Sequence, residues 1–230
     1  MGELATARAV VFDVDGTLYH QKPVQRGMLI RLMLGHLACP WRGPRTLKAL
    51  STYRKGQEAL RATGQRFDDL GAAQVEFAAE RTGVPAADVA ALVTRWMERE
   101  PLDLVAKAKR AGLDELLSAL RARGMKIGVF SDYPPVEKLD VLGVSADVVV
   151  WAQQPEVGLF KPEPAGILRC AELLGVEPSE TVYVGDRIEV DARAAEAAGM
   201  QGVIFGERDA TEERTVFVRD CAELTARFDA

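Results

Sequence analysis

Ala9-Val10-Val11-Phe12-Asp13-Val14-Asp15-Gly16-Thr17-Leu18 is the stretch from which the chain is read. It opens as an uninterrupted apolar run, the pattern of a strand buried on both faces. Two carboxylates, Asp13 and Asp15, then stand one residue apart where the run ends, and Gly16 permits a sharp turn. A strand covered on both faces cannot carry charge cheaply along its length. The C-terminal edge of a parallel sheet can, because open α/β sheets bind ligands outside the carboxyl ends of their strands. Two acids at that edge point to a bound cation, an acid/base pair, or both. An ordinary Asp-Gly turn after a strand is the plainer alternative.

Outward from this stretch the chain changes texture twice. Between Tyr19 and about Lys109 the strand signals vanish. Met28, Leu29, Ile30, Leu32, Met33, Leu34 and Leu37 give one helical face, and Leu47, Leu50, Tyr53 and Leu60 a second. Val75, Phe77, Ala78 and Ala79 continue the pattern, and Ala86 to Met97 reads as a further helix opening after Pro85. From Gly112 onward, helical and strand patterns alternate. Leu113, Leu116, Leu117 and Leu120 form an amphipathic helix. Lys126–Phe130, Asp147–Trp151, Thr181–Val184 and Val203–Phe205 read as strands. Leu139–Leu142, Pro162–Leu174 and Ala192–Ala198 read as helices, and a short strand at Val216–Val218 precedes a final helix. Such alternation with short connections is the signature of a parallel sheet wrapped by helices.

Composition narrows the partners. The chain has 230 residues, 48% of them hydrophobic, enough for one large domain or a core with an insertion. A net charge of −5 favours neither nucleic acid nor an anionic membrane as partner. The insertion is nonetheless rich in Arg26, Arg31, Arg42, Arg45, Lys48, Arg54, Lys55, Arg61 and Arg66. Most of these read as solvated helix faces, with one or two available to an anionic substrate. Cys39, Cys170 and Cys221 are odd in number and far apart, outside any zinc or disulfide spacing. Reduced thiols, and no apolar leader ahead of the first strand, give a cytoplasmic expectation. No Gly-x-Ser-x-Gly or Gly-x-x-x-x-Gly-Lys is present, which argues against a serine hydrolase and a P-loop enzyme.

Polar groups recur at the ends of the strands. Asp13 and Asp15 follow the first, Ser131 and Asp132 the second, and Asp186 the strand Thr181–Val184, with Asp191 five residues on. Lys161-Pro162 lies on the loop after the third. In a parallel sheet these ends share one edge, so residues remote in sequence converge.

Asp13-Val14-Asp15-Gly16-Thr17-Leu18, Ser131-Asp132, Lys161-Pro162 and Gly185-Asp186-Arg187-Ile188-Glu189-Val190-Asp191 resemble, in order, the four motifs of the haloacid dehalogenase-like (HAD) superfamily. The resemblance covers Ala9–Leu18 and about Gly112–Gly206. It implies an α/β fold with a parallel-sheet, Rossmann-like core of residues 1–18 and 110–230. Residues 19–109 would be an inserted, mainly α-helical cap that looks like the family's C1 type.

The resemblance also implies roles. Asp13 would be the nucleophile that forms an aspartyl-phosphate. Asp15 would be the acid that protonates the leaving oxygen and then the base that activates water. Mg²⁺ would be held by Asp13, the Asp15 carbonyl and Asp186, with Asp191 in support and Glu189 a lesser candidate. Ser131, Asp132 and Lys161 would bind phosphate. The expected activity is a Mg²⁺-dependent phosphatase acting on a small phosphorylated metabolite. A phosphomutase of the same superfamily and a non-catalytic HAD-like binding protein are the alternatives. The family's dehalogenases resemble Asp-x-Tyr-Gly-Thr in the first motif, where this chain has Asp15. Specificity is assigned to the cap, with Trp41 and Tyr53 among its aromatics; oligomeric state is left open.

Overall fold

The computed structural model describes residues 4, 6–37, 42–207 and 215–229; Cys39 and Trp41 lie outside them. The chain opens with β1 (Ala9–Phe12) and then leaves the sheet for α1 (Gln21–Gly35), α2 (Arg42–Thr63), α3 (Leu70–Thr82), α4 (Ala86–Val93) and α5 (Leu102–Lys107). It returns through α6 (Leu113–Ala122), β2 (Lys126–Ser131), α7 (Val136–Leu142), β3 (Val148–Trp151), α8 (Ala165–Leu174), β4 (Thr181–Gly185), α9 (Arg193–Ala197), β5 (Gln201–Phe205), β6 (Thr215–Val218) and α10 (Cys221–Asp229).

Among the described residues the strands form one six-stranded sheet of order β3-β2-β1-β4-β5-β6, and every pairing is parallel. β1 sits between β2 and β4, with Phe12 level with Val129 and Val184. Its period of two sorts its side chains between layers. Val10 and Phe12 pack with Ile127, Val129 and the α6 leucines Leu113, Leu116 and Leu120. Ala9 and Val11 pack on the other side with Phe130, Tyr183 and the α8 residues Ile167, Cys170 and Leu174. Both faces are therefore covered, which is why the strand reads as a continuous apolar run. The buried thiols Cys170 and Cys221 fall in opposite layers and are free.

The segment 19–109 has its own small core, in which Tyr53, Ala78, Val89 and Val93 are buried against each other and Tyr133 of the sheet domain packs on them. Its two ends leave the core side by side. Tyr19 and Lys109 form an isolated antiparallel bridge, and the His20 N–H donates to the Ala108 carbonyl at 2.9 Å. None of the described helices is long and apolar enough to cross a membrane.

Three elements differ from the sequence reading. The helix expected from Pro162 begins only at Ala165. Residues preceding a proline disfavour helical dihedrals, so Pro162 and Pro164 keep Lys161 and Glu163 out of the helix. The helix expected over Ala86–Met97 changes from α to π hydrogen bonding at Thr94, and this wider stretch, Thr94–Arg99, buries Trp96. The helix expected from Ala192 is preceded by a second π turn, Ile188–Ala192, which contains Asp191.

Leu116 is fully buried between α6 and the sheet. Leu116→Ala is expected to cost roughly 2–5 kcal/mol, through lost burial and the cavity left behind. Urea unfolding checks this as a lower midpoint with an unchanged slope.

Candidate active site

Asp13 continues β1 by one residue, its N–H donating to the Val184 carbonyl at 2.8 Å. Its side chain is 6% exposed. Oδ2 accepts the Thr17 hydroxyl at 3.0 Å and Oδ1 accepts the Lys161 ammonium at 2.5 Å. Lys161 reaches this point from the loop before α8. It also donates to Asp191 Oδ1 at 2.7 Å and to the Tyr183 hydroxyl at 3.2 Å. Asp191 turns its other oxygen to the N–H groups of Asp186, at 3.2 Å, and Arg187, at 3.0 Å. The π turn before α9 places the carboxylate for those contacts. Gly185 leaves room for it: a Cβ there would lie 2.3 Å from that of Asp191.

Asp186 completes the cluster. Carboxylate oxygens of Asp13, Asp186 and Asp191 all lie within 4.8 Å of one another. Gly16 adopts φ +102°, a conformation other residues rarely take, and a Cβ on it would fall 2.0 Å from Asp186 Oδ2. The glycine of the Asp13–Leu18 turn thus lets the β4 carboxylate approach the β1 turn. Arg110 braces the same turn, donating to the Gly16 and Thr17 carbonyls at 2.6 and 2.7 Å.

Three carboxylates are gathered near one ammonium, and burial together with this excess of negative charge raises the carboxyls of Asp13 and Asp186. Burial, with the Asp191 charge second, pushes the Asp186 carboxyl up to about 6. Burial likewise raises Asp13, although the Lys161 charge beside it pulls the other way. Asp186 Oδ1 is buried and has no hydrogen-bond partner. An orphaned carboxylate oxygen in a pocket of excess negative charge is the donor set of a hard divalent cation such as Mg²⁺.

Asp15 points elsewhere. Its Oδ1 accepts Lys138 at 2.6 Å and also the Tyr19 hydroxyl. Burial alone would raise this carboxyl, but the Lys138 charge and the two hydrogen bonds outweigh it and hold it below its ordinary value. Asp13 and Asp15 are thus close in sequence but bonded to different lysines, Lys161 and Lys138. Asp15 and Lys138 line a cavity of about 710 Å³ between the core and the insert. The opposite wall is largely apolar, with Leu32, Leu50, Trp96 and Met97, and carries Arg54 at one side.

The second motif is tied to the insert. Ser131 is buried at the end of β2, and its hydroxyl accepts the Tyr133 N–H at 3.3 Å. The carboxylate of Asp132, one of the residues expected to bind phosphate, is bonded within the protein. Oδ2 accepts Gln57 at 2.8 Å and Arg61 at 2.9 Å, and Oδ1 accepts the Lys161 N–H at 3.2 Å. Arg61 also donates to the Lys161 carbonyl at 2.5 Å. A carboxylate so engaged orients Lys161 and anchors α2, and only its backbone is left to meet an anion.

The sequence reading did not single out Lys138, Tyr19, Gln57, Arg110 or Tyr183, and it counted Arg61 only among the insert's cations. Lys138 had one usable signal, its place on the first helix after Ser131-Asp132. The others depend on tertiary approach.

The raised Asp186 carboxyl sets a pH dependence. The folded state binds this proton more tightly than a free carboxyl of about 3.8, so its contribution to stability is full below about pH 3.8 and lost as pH rises through about 6. In metal-free buffer, Asp186→Asn is expected to flatten that decline. Urea unfolding of both proteins between pH 4 and 7 measures the difference, and parallel curves would contradict the assignment.

Comparison with known proteins agrees with the fold. A family model described as haloacid dehalogenase-like hydrolase matches residues 7–199. A glyceraldehyde 3-phosphate phosphatase of Methanopyrus kandleri is 34% identical over 206 residues, covering 84% of this chain and 81% of the relative. A phosphoglycolate phosphatase of Xylella fastidiosa is 28% identical over 204 residues, covering 87% and 80%. The crystal structure of a 2-haloacid dehalogenase from Pseudomonas syringae pv. Tomato superposes with a TM-score of 0.64 at 20% identity, over 97% of this chain and 98% of the other, a likeness of fold. A match that runs from the first strand to the helix after Asp191 takes in all four clusters, and the chain belongs to the haloacid dehalogenase-like hydrolase family.

Proposed function

We propose that the chain is a Mg²⁺-dependent phosphatase that hydrolyses a small phosphate monoester through a covalent phosphoryl group on Asp13. The observation that carries this reading is the split between the two first-motif acids. Asp13 lies on Lys161 inside the acid cluster, and Asp15 lies on Lys138 at the cavity. The separation by place suits the two roles: Asp13 lies where a phosphoryl group would meet the acid cluster and Lys161, and Asp15 lies at the cavity where a leaving oxygen would sit. The relatives named as phosphatases support the same chemistry.

The steps follow from the residues. An Asp13 oxygen attacks phosphorus as the ester P–O bond breaks, and the leaving oxygen is protonated through Asp15, which Lys138 and Tyr19 hold ionised in the free site and which takes up that proton when the phosphate monoester binds. Lys161 holds Asp13 in line and balances its charge. Water then attacks the phosphoryl group and gives its proton to Asp15, so that phosphate leaves and both acids return to their starting states. Lys138 and Tyr19 keep Asp15 ionised when it must accept that proton. Mg²⁺ held by Asp13 and Asp186 would supply positive charge toward the phosphate oxygens. Asp191, fully hydrogen-bonded, would fix the Asp186 loop and Lys161.

The test is rapid-quench kinetics with a radiolabelled aryl phosphate, scored for acid-stable, hydroxylamine-labile label. Asp13→Asn is expected to give no label. Asp15→Asn is expected to give a burst of phenol and a labelled protein that hydrolyses about 10²–10⁴ times more slowly. Chelation with EDTA before mixing is expected to prevent labelling of every variant. Label on Asp13→Asn would defeat the mechanism.

Lys138→Met is a separate check on the Asp15 environment. Without the neighbouring ammonium the Asp15 carboxyl rises, and less of it is ionised to accept the proton from water. The acidic limb of the kcat profile is expected to move to higher pH. An unmoved limb would leave Lys138 without this role.

A further inference from the structure

We propose that the outer face of α1, with the adjoining cations of α2, docks this protein on an anionic lipid bilayer. Whole-chain charge points away from such a partner, but charge is not evenly placed. Residues 19–63 hold nine Lys and Arg side chains and a single acid, Glu58, in a chain of net charge −5. Arg31 and Arg61 are paired with Asp103 and with Asp132 and Glu58. Lys22, Arg26, Arg45, Lys48, Arg54 and Lys55 are exposed, and no ion pair holds any of them among the described residues.

The apolar side chains on the same segment are equally unusual. Leu29, Ile30, Met33, Leu34, Leu37 and Leu47 are between 47% and 70% exposed. The other large apolar side chains exposed among the described residues, Val136, Val141 and Leu173, are spread over α7 and α8. On α1 the two kinds of residue share one face. Lys22, Arg26, Leu29 and Met33 follow at i, i+4, i+7 and i+11, with Ile30 and Leu34 beside them and Leu37 in the turn just beyond the helix. Val24 and Leu32, on the remaining part of the helix surface, are buried in the protein.

A helix face that is basic at one end and apolar along the rest matches a bilayer interface, where aliphatic side chains enter the acyl boundary and cations meet lipid phosphates. A second copy of the chain fits less well, since apposing two such faces brings like charges together. Nucleic acid offers nothing to the leucines. Leu29 and Leu47 also line the cavity that holds Asp15, so the docked face adjoins that cavity.

Vesicle co-sedimentation tests this. The intact chain is expected to bind vesicles of mixed phosphatidylglycerol and phosphatidylcholine, more weakly as salt is raised, and to leave phosphatidylcholine vesicles unbound. Lys22→Glu with Arg26→Glu is expected to lower the partition coefficient roughly 25-fold or more, at about five-fold per charge. Ile30→Ser with Met33→Ser is expected to lower it at least about tenfold. All four side chains are exposed, so circular dichroism and the thermal midpoint should match the parent and show the variants folded. Absence of binding, equal binding to both vesicle types, or variants that bind like the parent would overturn the proposal. So would a dimer, seen by sedimentation velocity, that Ile30→Ser with Met33→Ser disperses, since the face would then belong to a second copy.

Discussion

The buried ammonium of Lys161 is the point on which the site depends. It lies between Asp13 and Asp191, and all three side chains are almost wholly removed from water. A buried charge is tolerated only when it is paired and hydrogen-bonded, and breaking such a group strands the remaining members. The arrangement therefore locks three distant pieces of chain together: the end of β1, the loop before α8 and the turn after β4. Asp191 extends the lock by holding two N–H groups of the Asp186 loop. The position of Asp186 beside the β1 turn follows from this, with Gly16 leaving the space.

A second set of contacts joins this cluster to the insert. Arg61 of α2 is bound both to Asp132 and to the carbonyl of Lys161. Gln74 of α3 donates to the Tyr53 carbonyl and to the Tyr133 hydroxyl. The insert therefore does more than cover the sheet edge: its helices share hydrogen bonds with the loops that carry Ser131, Asp132 and Lys161. A shift of α2 would be felt at Lys161 through one side chain.

Much of the fold was legible because burial dictates pattern. The run Ala9–Phe12 had to be apolar on both faces, and the α6 leucines had to recur at helical spacing. The acids were legible because charge at strand ends is out of keeping with a buried sheet. Lys138 and Arg61 were not, since one lysine or arginine among many on helices looks like any solvated cation until its partner is seen. The π turns escaped for a related reason: nothing in the composition of Thr94–Arg99 or Ile188–Ala192 distinguishes a π turn from an α-helical one. The late start of α8 was available in the sequence, in Pro162 and Pro164, and the apolar periodicity beyond them obscured it. Averaging had a similar effect on charge, since the acidic remainder of the chain hides a basic segment when only the total is taken.

The Tyr19–Lys109 bridge bears on the order in which the molecule is assembled. β1 and β2 are neighbours in the sheet, yet the whole insert separates them along the chain. Joining them from an unfolded chain means closing a long loop before any strand contact rewards it. The insert has a core of its own, and its two ends meet. Once that core has formed, the chain behaves as if the loop were only a few residues long. On a chain emerging from its N-terminus, β1 stays without either neighbour until the insert and then β2 follow. With the insert folded, the bridge turns a distant pairing into a local one, and β1 meets β2 across a short connection.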